Sequence, residues 1–155
     1  MQRSSLTTAT VVLFLGTAMF AAGAHEGEHF SAGEPGNPTK PARTVTVTMS
    51  DGDGTMRFVP DRIDVKKGEQ VHFVIQNNGM LKHEFTLASV QDNNKHAELM
   101  QKYPDMEHDD PNAKSVDPGK TAEILWRFTK AGTFEFACLI PGHREVGMRG
   151  TVTVK

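Results

Sequence analysis

The sequence has a single cysteine, Cys138, and neither sign of charge dominates it. One cysteine cannot form a disulfide bond within the chain, so a disulfide framework is excluded as a source of stability. The 17 basic residues are balanced by 19 acidic residues, whereas a nucleic-acid-binding protein normally carries a basic excess. We therefore expect no nucleic-acid partner.

Long apolar runs are missing outside the N-terminus, where residues 1–24 have the pattern of a secretory signal peptide. Arg3 supplies the positive charge, residues 11–21 form the apolar stretch, and residues 22–24 (AGA) are a typical cleavage site. The apolar stretch is shorter than the about 20 residues that a membrane-spanning helix needs, which disfavours the alternative of an uncleaved anchor. The pattern predicts export to the periplasm, without a membrane anchor, of a protein that begins at His25.

The remaining chain divides into a leader and one domain. Residues 25–42 are rich in proline and glycine and have little to bury, which is typical of a flexible leader. Over residues 43–155 apolar side chains alternate with polar ones between turn signals, which predicts an all-β sandwich or barrel. Residues 92–106 depart from this alternation, and we expect a short helix or irregular insertion that ends at Pro104. The inward-facing residues are Val45, Val47, Met49, Val71, Phe73, Ile75, Ala122, Ile124, Trp126, Phe128, Phe134, Phe136, Cys138, Val152 and Val154.

Cysteine, histidine and methionine recur at intervals of five residues near the C-terminus, as Cys138, His143 and Met148. Cys138 shares its strand face with the aromatic residues two and four positions earlier, so its side chain should point toward the apolar core. By the same parity His83, which opens the strand HEFTL, also points inward. A turn in the intervening loop could bring His143 and Met148 to the same place.

These four side chains predict a metal site. Two histidines and a cysteine with a weakly bound methionine form the blue-copper ligand set, whereas methionine is a poor zinc ligand. A lone thiol in an oxidising compartment also has to be buried, paired or occupied. Each residue alone has a simpler interpretation: Cys138 as an inert thiol, His83 as a structural histidine, His143 as a loop residue and Met148 as a core residue. Their occurrence together favours the metal site.

The chain resembles the cupredoxins, the plastocyanin/azurin family of type 1 copper proteins, over residues 43–155. The resemblance implies a Greek-key β-sandwich that binds one copper ion near one end, through His83, Cys138 and His143 with Met148 as the axial ligand. The gaps between Cys138, His143 and Met148 are longer in total than in plastocyanins. The motifs that carry the resemblance are Phe136-Ala137-Cys138, Pro141-Gly142-His143, Gly147-Met148, Asn77-Asn78-Gly79 and His83.

Two surface features are expected around this site. Glu84 stands where many cupredoxins have asparagine, and the alternation points its side chain outward into solvent. In the family an apolar rim near the second histidine is where redox partners dock, and such a rim could surround His143 here. Ordinary loop packing is the alternative. The rim residues would be Met80, Leu81, Leu139, Ile140 and Pro141.

Additional copper could bind in two other places. The free amine and imidazole of His25 could chelate an ion with His29 nearby, although a solvated tail is the alternative. In the insertion, His96 and Met100 are one helical turn apart and could face one ion together with Met106 and His108. The alternative is a helix packed through Leu99 and Met100.

Two functions fit this reading. The first is an exported copper protein that contributes to copper tolerance, because an electron shuttle does not need a histidine-bearing leader or insertion. The second is a soluble one-electron carrier whose redox partner docks near His143. An enzyme is not expected, since four protein ligands leave the copper no open position for a substrate. We expect a monomer.

Overall fold

The alternating segments form two five-stranded sheets that face each other across one apolar core. The computed structural model describes residues 30–104 and 106–155, so the signal peptide, His25 and His29 lie outside the described residues. The first sheet has the strand order β1-β8-β5-β2-β3 and the second has the order β4-β10-β9-β6-β7. The elements are β1 (Glu34–Pro35), β2 (Arg43–Gly52), β3 (Thr55–Val59), β4 (Arg62–Val65), β5 (Gln70–Asn77), β6 (His83–Ala88), α1 (Val90–Lys102), β7 (Ala113–Val116), β8 (Thr121–Arg127), β9 (Gly132–Ala137) and β10 (Arg149–Val154).

Aromatic side chains from both sheets hold the sandwich together. Phe73 of the first sheet packs on Phe85 of the second with ring centroids 5.5 Å apart. Phe85 in turn stacks on Phe136 at 5.1 Å, and Phe58 meets Phe136 edge to face at 5.2 Å. Such pairs add specific geometry to the burial of large apolar surfaces. The predicted β-sandwich is therefore confirmed, with its core on the predicted inward faces.

The chain before β2 is not a flexible leader throughout, and the prediction for residues 25–42 is wrong from residue 30 onward. Phe30 packs edge to face on Trp126 with ring centroids 5.3 Å apart. The carbonyl of Ala32 accepts a hydrogen bond of 3.2 Å from the Trp126 indole, and β1 pairs with β8. The composition of residues 25–42 does not indicate this docking, because the segment contains few apolar side chains. Only two are needed to cover a tryptophan at the edge of the sandwich.

Helix α1 occupies most of the predicted insertion. It begins at Val90, earlier than expected, because the Ser89 side chain caps it by accepting a 3.1 Å hydrogen bond from the Asp92 backbone. It packs through Met100 but not through Leu99, whose side chain is 45% exposed. No helix in the described part of the chain is long and apolar enough to cross a membrane.

We predict that Phe30→Ala lowers the free energy of unfolding by about 1–2 kcal/mol, less than the 3–5 kcal/mol of a fully buried phenylalanine because Phe30 is only partly buried. The loss should follow from uncovering Trp126. Denaturant unfolding followed by tryptophan fluorescence measures it, since the chain has one tryptophan. Leu99→Ala on the exposed helix face is the control, and equal stability of the two variants would contradict the docking.

Candidate metal centre

Three of the four predicted ligands come together at one end of the sandwich. His83, Cys138 and His143 each present a donor atom, and these atoms all lie within 4.8 Å of one another. The Nδ1 atoms of the two histidines are 3.2 Å apart, and His143 Nδ1 is 3.3 Å from Cys138 Sγ. His83 and Cys138 are fully buried, whereas His143 is partly exposed at the protein surface.

Strand pairing explains why these residues meet. Cys138 follows the last residue of β9 and Met148 precedes the first residue of β10, and those two strand residues are register partners. The Cys138 amide accordingly donates a 3.1 Å hydrogen bond to the Met148 carbonyl. Strand β6 also pairs antiparallel with β9, so His83 at its start lies near the end of β9. Met148 is fully buried in the same core cluster as Cys138.

The loop between Cys138 and Met148 turns back on itself to present His143. The His143 amide donates to the Ile140 carbonyl at 3.1 Å, and the Met148 amide donates to the His143 carbonyl at 3.0 Å. Gly142 has a φ of 91°, a left-handed conformation that side-chain-bearing residues rarely adopt. The predicted Pro141-Gly142 turn is therefore what aims His143 at the thiol.

Burial sets the protonation of the donors. It raises the pKa of the Cys138 thiol to about 12 and lowers the pKa of His143. The Glu84 backbone N–H, 3.3 Å from Cys138 Sγ, donates to the sulfur and favours the thiolate. A metal that binds here as a thiolate complex has to displace the thiol proton, so its apparent affinity rises with pH below the thiol pKa. A neutral His143 needs no such displacement.

The residues present fit a copper ion by the chemistry of their donors. Thiolate and thioether sulfur favour Cu(I), while imidazole nitrogen suits both Cu(I) and Cu(II). The set here offers two imidazoles and one thiol within reach of one ion. Among the described residues this is the one group of three or more histidine, cysteine or acidic side chains with metal-binding proximity.

Glu84 is buried, so the prediction that its side chain is solvated is wrong. It is only 1% exposed, and burial raises the pKa of its carboxyl to about 7. The outer face of β6 is not open to solvent at this point, because His108 lies against it. Its Oε1 atom lies 3.7 Å from His108 Nε2.

The structure also brings together most of the second predicted cluster. His96 Nε2 and His108 Nε2 are 3.1 Å apart, and His108 Nε2 is 3.3 Å from Met100 Sδ. Met106 is partly buried against the same small apolar cluster as Met100. Burial, reinforced by the neighbouring His108, lowers the pKa of His96, which leaves that imidazole neutral for binding. Met100 therefore packs the helix and also contacts His108, which in turn meets His96.

Sequence patterns missed the polar residues that support the ligands. Asp51 accepts a 2.8 Å hydrogen bond from His83 Nε2. Glu135 forms an ion pair with Arg144, which follows His143 in the ligand loop. Both carboxylate oxygens accept from the same guanidinium nitrogen, at 2.8 and 3.0 Å. A second Arg144 nitrogen donates to Asn94 of α1 at 2.7 Å. These contacts join separate elements of the fold, so no local motif signals them.

Part of the predicted rim is present as exposed apolar surface. Met80 is 86% exposed, and Leu81 beside it is also exposed, both on the loop that leads into His83. Leu139 does not belong to the rim, because it is buried against Met100 beneath the ligand loop. Val146, which is not among the predicted rim residues, is exposed on the same loop as His143.

The chain is similar to known copper proteins in sequence and in fold. Residues 44–155 match the family model of copper-binding proteins of the plastocyanin/azurin family. A copper-resistant cuproprotein, CopI, of Rubrivivax gelatinosus is 49% identical over 92% of this chain and 91% of its own length. A protein of the same name from Pseudomonas aeruginosa is 37% identical over 93% of this chain and 91% of its own length. A dithionite-reduced auracyanin from Roseiflexus castenholzii has the same fold, with a TM-score of 0.61 at 19% identity over 74% of this chain and 99% of that chain.

We predict that Cys138→Ser abolishes the intense visible absorption of the copper-loaded protein, because that band requires charge transfer from a thiolate to Cu(II). The measurement is the optical spectrum during copper titration. Met148→Leu is the matched variant in the same loop: it should keep the band and raise the redox potential, since a weak axial donor to Cu(II) is lost. A copper-loaded wild-type protein without the band would contradict the ligand assignment.

Proposed function

Because the chain belongs to the plastocyanin/azurin family of copper-binding proteins, we propose that it is an exported periplasmic protein that contributes to copper tolerance through redox-active copper binding. When bound, copper supplies one-electron exchange between Cu(II) and Cu(I). The residues that would hold it are His83, Cys138, His143 and Met148. The names of the relatives, copper-resistant cuproproteins at 49% and 37% identity over nine-tenths of the chain, support the role in tolerance.

The observation that carries the proposal is the second cluster of His96, Met100 and His108. An electron carrier has no need for two facing imidazoles and a thioether in addition to the ligands of its redox centre. Neutral imidazole and thioether sulfur are soft donors that suit Cu(I). We therefore assign a second copper ion, as cargo, to these residues together with Met106.

Glu84 places the second cluster beside the first. Its backbone N–H donates to Cys138 Sγ at 3.3 Å, while its carboxylate lies 3.7 Å from His108 Nε2. One residue therefore contacts a donor of each cluster. Its buried carboxylate, when ionised, can offset the charge of a cation at His108, which favours metal binding in a site otherwise built of neutral donors.

A soluble electron carrier is the second candidate function. It is favoured by three exposed apolar residues near the ligands. Met80 and Leu81 lie on the loop that leads into His83, and Val146 lies on the loop that carries His143. A partner that docks on this rim would approach the partly exposed His143 imidazole. In neither function does the chain act as an enzyme, because the four ligands leave no position for a substrate.

We predict that Met100→Leu removes one equivalent of bound Cu(I) without changing the visible band of the Cys138 site. Leucine keeps the packing volume but removes the thioether. Copper titration of the mature protein, in a His25→Ala/His29→Ala background that removes any contribution of the leader, measures the stoichiometry. Met80→Leu on the exposed rim is the control and should bind as many ions as that background.

Survival of bacteria under copper separates the two functions. A strain that lacks the protein should be more sensitive to copper, and the Met100→Leu protein should restore tolerance less well than the Met80→Leu protein. Binding of only one equivalent by the wild-type protein, with unchanged tolerance in the deletion strain, would contradict the first function. Rapid oxidation of the reduced protein by a respiratory partner would then favour the electron carrier.

A further inference from the structure

A carboxylate from the opposite sheet reaches the ligand His83. Asp51 lies near the end of β2 in the first sheet, whereas His83 opens β6 in the second. The His83 imidazole is fully buried and its Nε2 donates to Asp51 Oδ2 at 2.8 Å, while the Asp51 side chain is 11% exposed. Its other ring nitrogen, Nδ1, faces His143 Nδ1 at 3.2 Å. The ring is therefore held from the side away from the metal centre.

The carboxylate is itself held by the loop that precedes His83. The Met80 amide donates to both carboxylate oxygens, at 3.0 and 2.9 Å, and the Leu81 amide donates to Oδ2 at 3.0 Å. All three partners of Asp51 are N–H donors, which is the environment of an ionised carboxylate. These backbone bonds lower the pKa of Asp51. Its negative charge is thus fixed in position next to the imidazole.

The loop has the shape that this carboxylate requires. A Cβ atom on Gly79 would lie 2.0 Å from Asp51 Oδ2, closer than side-chain atoms approach one another. The Gly79 amide is held by Asn77, whose side-chain oxygen accepts its hydrogen bond at 2.9 Å. The buried Asn77 amide group in turn donates to the Leu81 and Val116 carbonyls, both at 2.8 Å. Glycine at position 79 leaves the space in which Asp51 meets His83.

We infer that Asp51 is a positioning residue of the copper site, which keeps the His83 proton on Nε2, leaves Nδ1 free as the donor and lowers the redox potential. A carboxylate that accepts from the distal nitrogen fixes the tautomer and ring orientation of a ligating histidine and makes it a stronger base. A stronger donor beside a fixed negative charge favours Cu(II) over Cu(I). The inference rests on His83 as a ligand and does not depend on the role in copper tolerance.

The test compares Asp51→Asn with Glu123→Gln. Glu123 accepts from His72 Nε2 at 3.0 Å on the surface, so its variant makes the same charge change in a histidine–carboxylate pair outside the metal centre. In Asp51→Asn the ratio of Cu(II) to Cu(I) affinity should fall about tenfold or more, given the 10–100-fold effects of such outer partners. Tenfold is about 59 mV of potential for one electron. Glu123→Gln should keep the wild-type potential.

Gly79→Ala tests the same contact without a change of charge. Its methyl group should push the Asp51 carboxylate away from His83 and raise the potential in the same direction. Nitrogen-15 NMR of the diamagnetic Cu(I) wild-type protein should show a proton on His83 Nε2, a result that does not depend on any variant folding. A purely structural role for Asp51 would change stability but not potential. The inference is overturned if both Asp51→Asn and Gly79→Ala keep the wild-type potential, or if His83 Nε2 carries no proton.

Discussion

The pairing of β9 with β6 on one side and β10 on the other is the constraint on which the metal centre depends. Because both pairs are antiparallel, the end of β9 lies beside the starts of β6 and β10. Cys138, His83 and Met148 stand at those three strand ends, so sheet hydrogen bonds fix their backbones. Only His143 is supplied by a loop. The sandwich itself therefore sets the backbone positions of three of the four candidate ligands.

Features set by near neighbours in the chain could be predicted from the sequence. Period-two alternation depends only on which residues share a strand face, and it identified the inward positions of Phe73 and Phe136. One loop likewise joins Cys138, His143 and Met148. Their proximity could therefore be predicted from their spacing in the sequence. Helix α1 ends before Pro104 for a local reason as well, because proline disfavours the helical conformation of the residue that precedes it.

Features set by distant segments could not be predicted. Alternation points Glu84 away from the core, but a second layer formed by later residues covers that face and turns an expected solvated carboxylate into a buried one. Asp51 is 32 positions from His83 and belongs to the other sheet, so no motif links them. Phe30 packs on Trp126, which lies far along the chain in another element. In each case a contact between separate elements decides the outcome.

The docked segment at residues 30–36 also bears on how copies of the protein meet. The exposed edge of a β-sheet can template pairing with another chain, and natural proteins keep such edges short or poor in donors. Here one edge of the first sheet is the two-residue strand β1, and one of its residues is Pro35, which has no backbone N–H. Where β1 pairs with β8, the long strand β8 is an interior strand of the sheet and not its edge. This arrangement disfavours edge-to-edge aggregation at the side of the sandwich that carries Trp126.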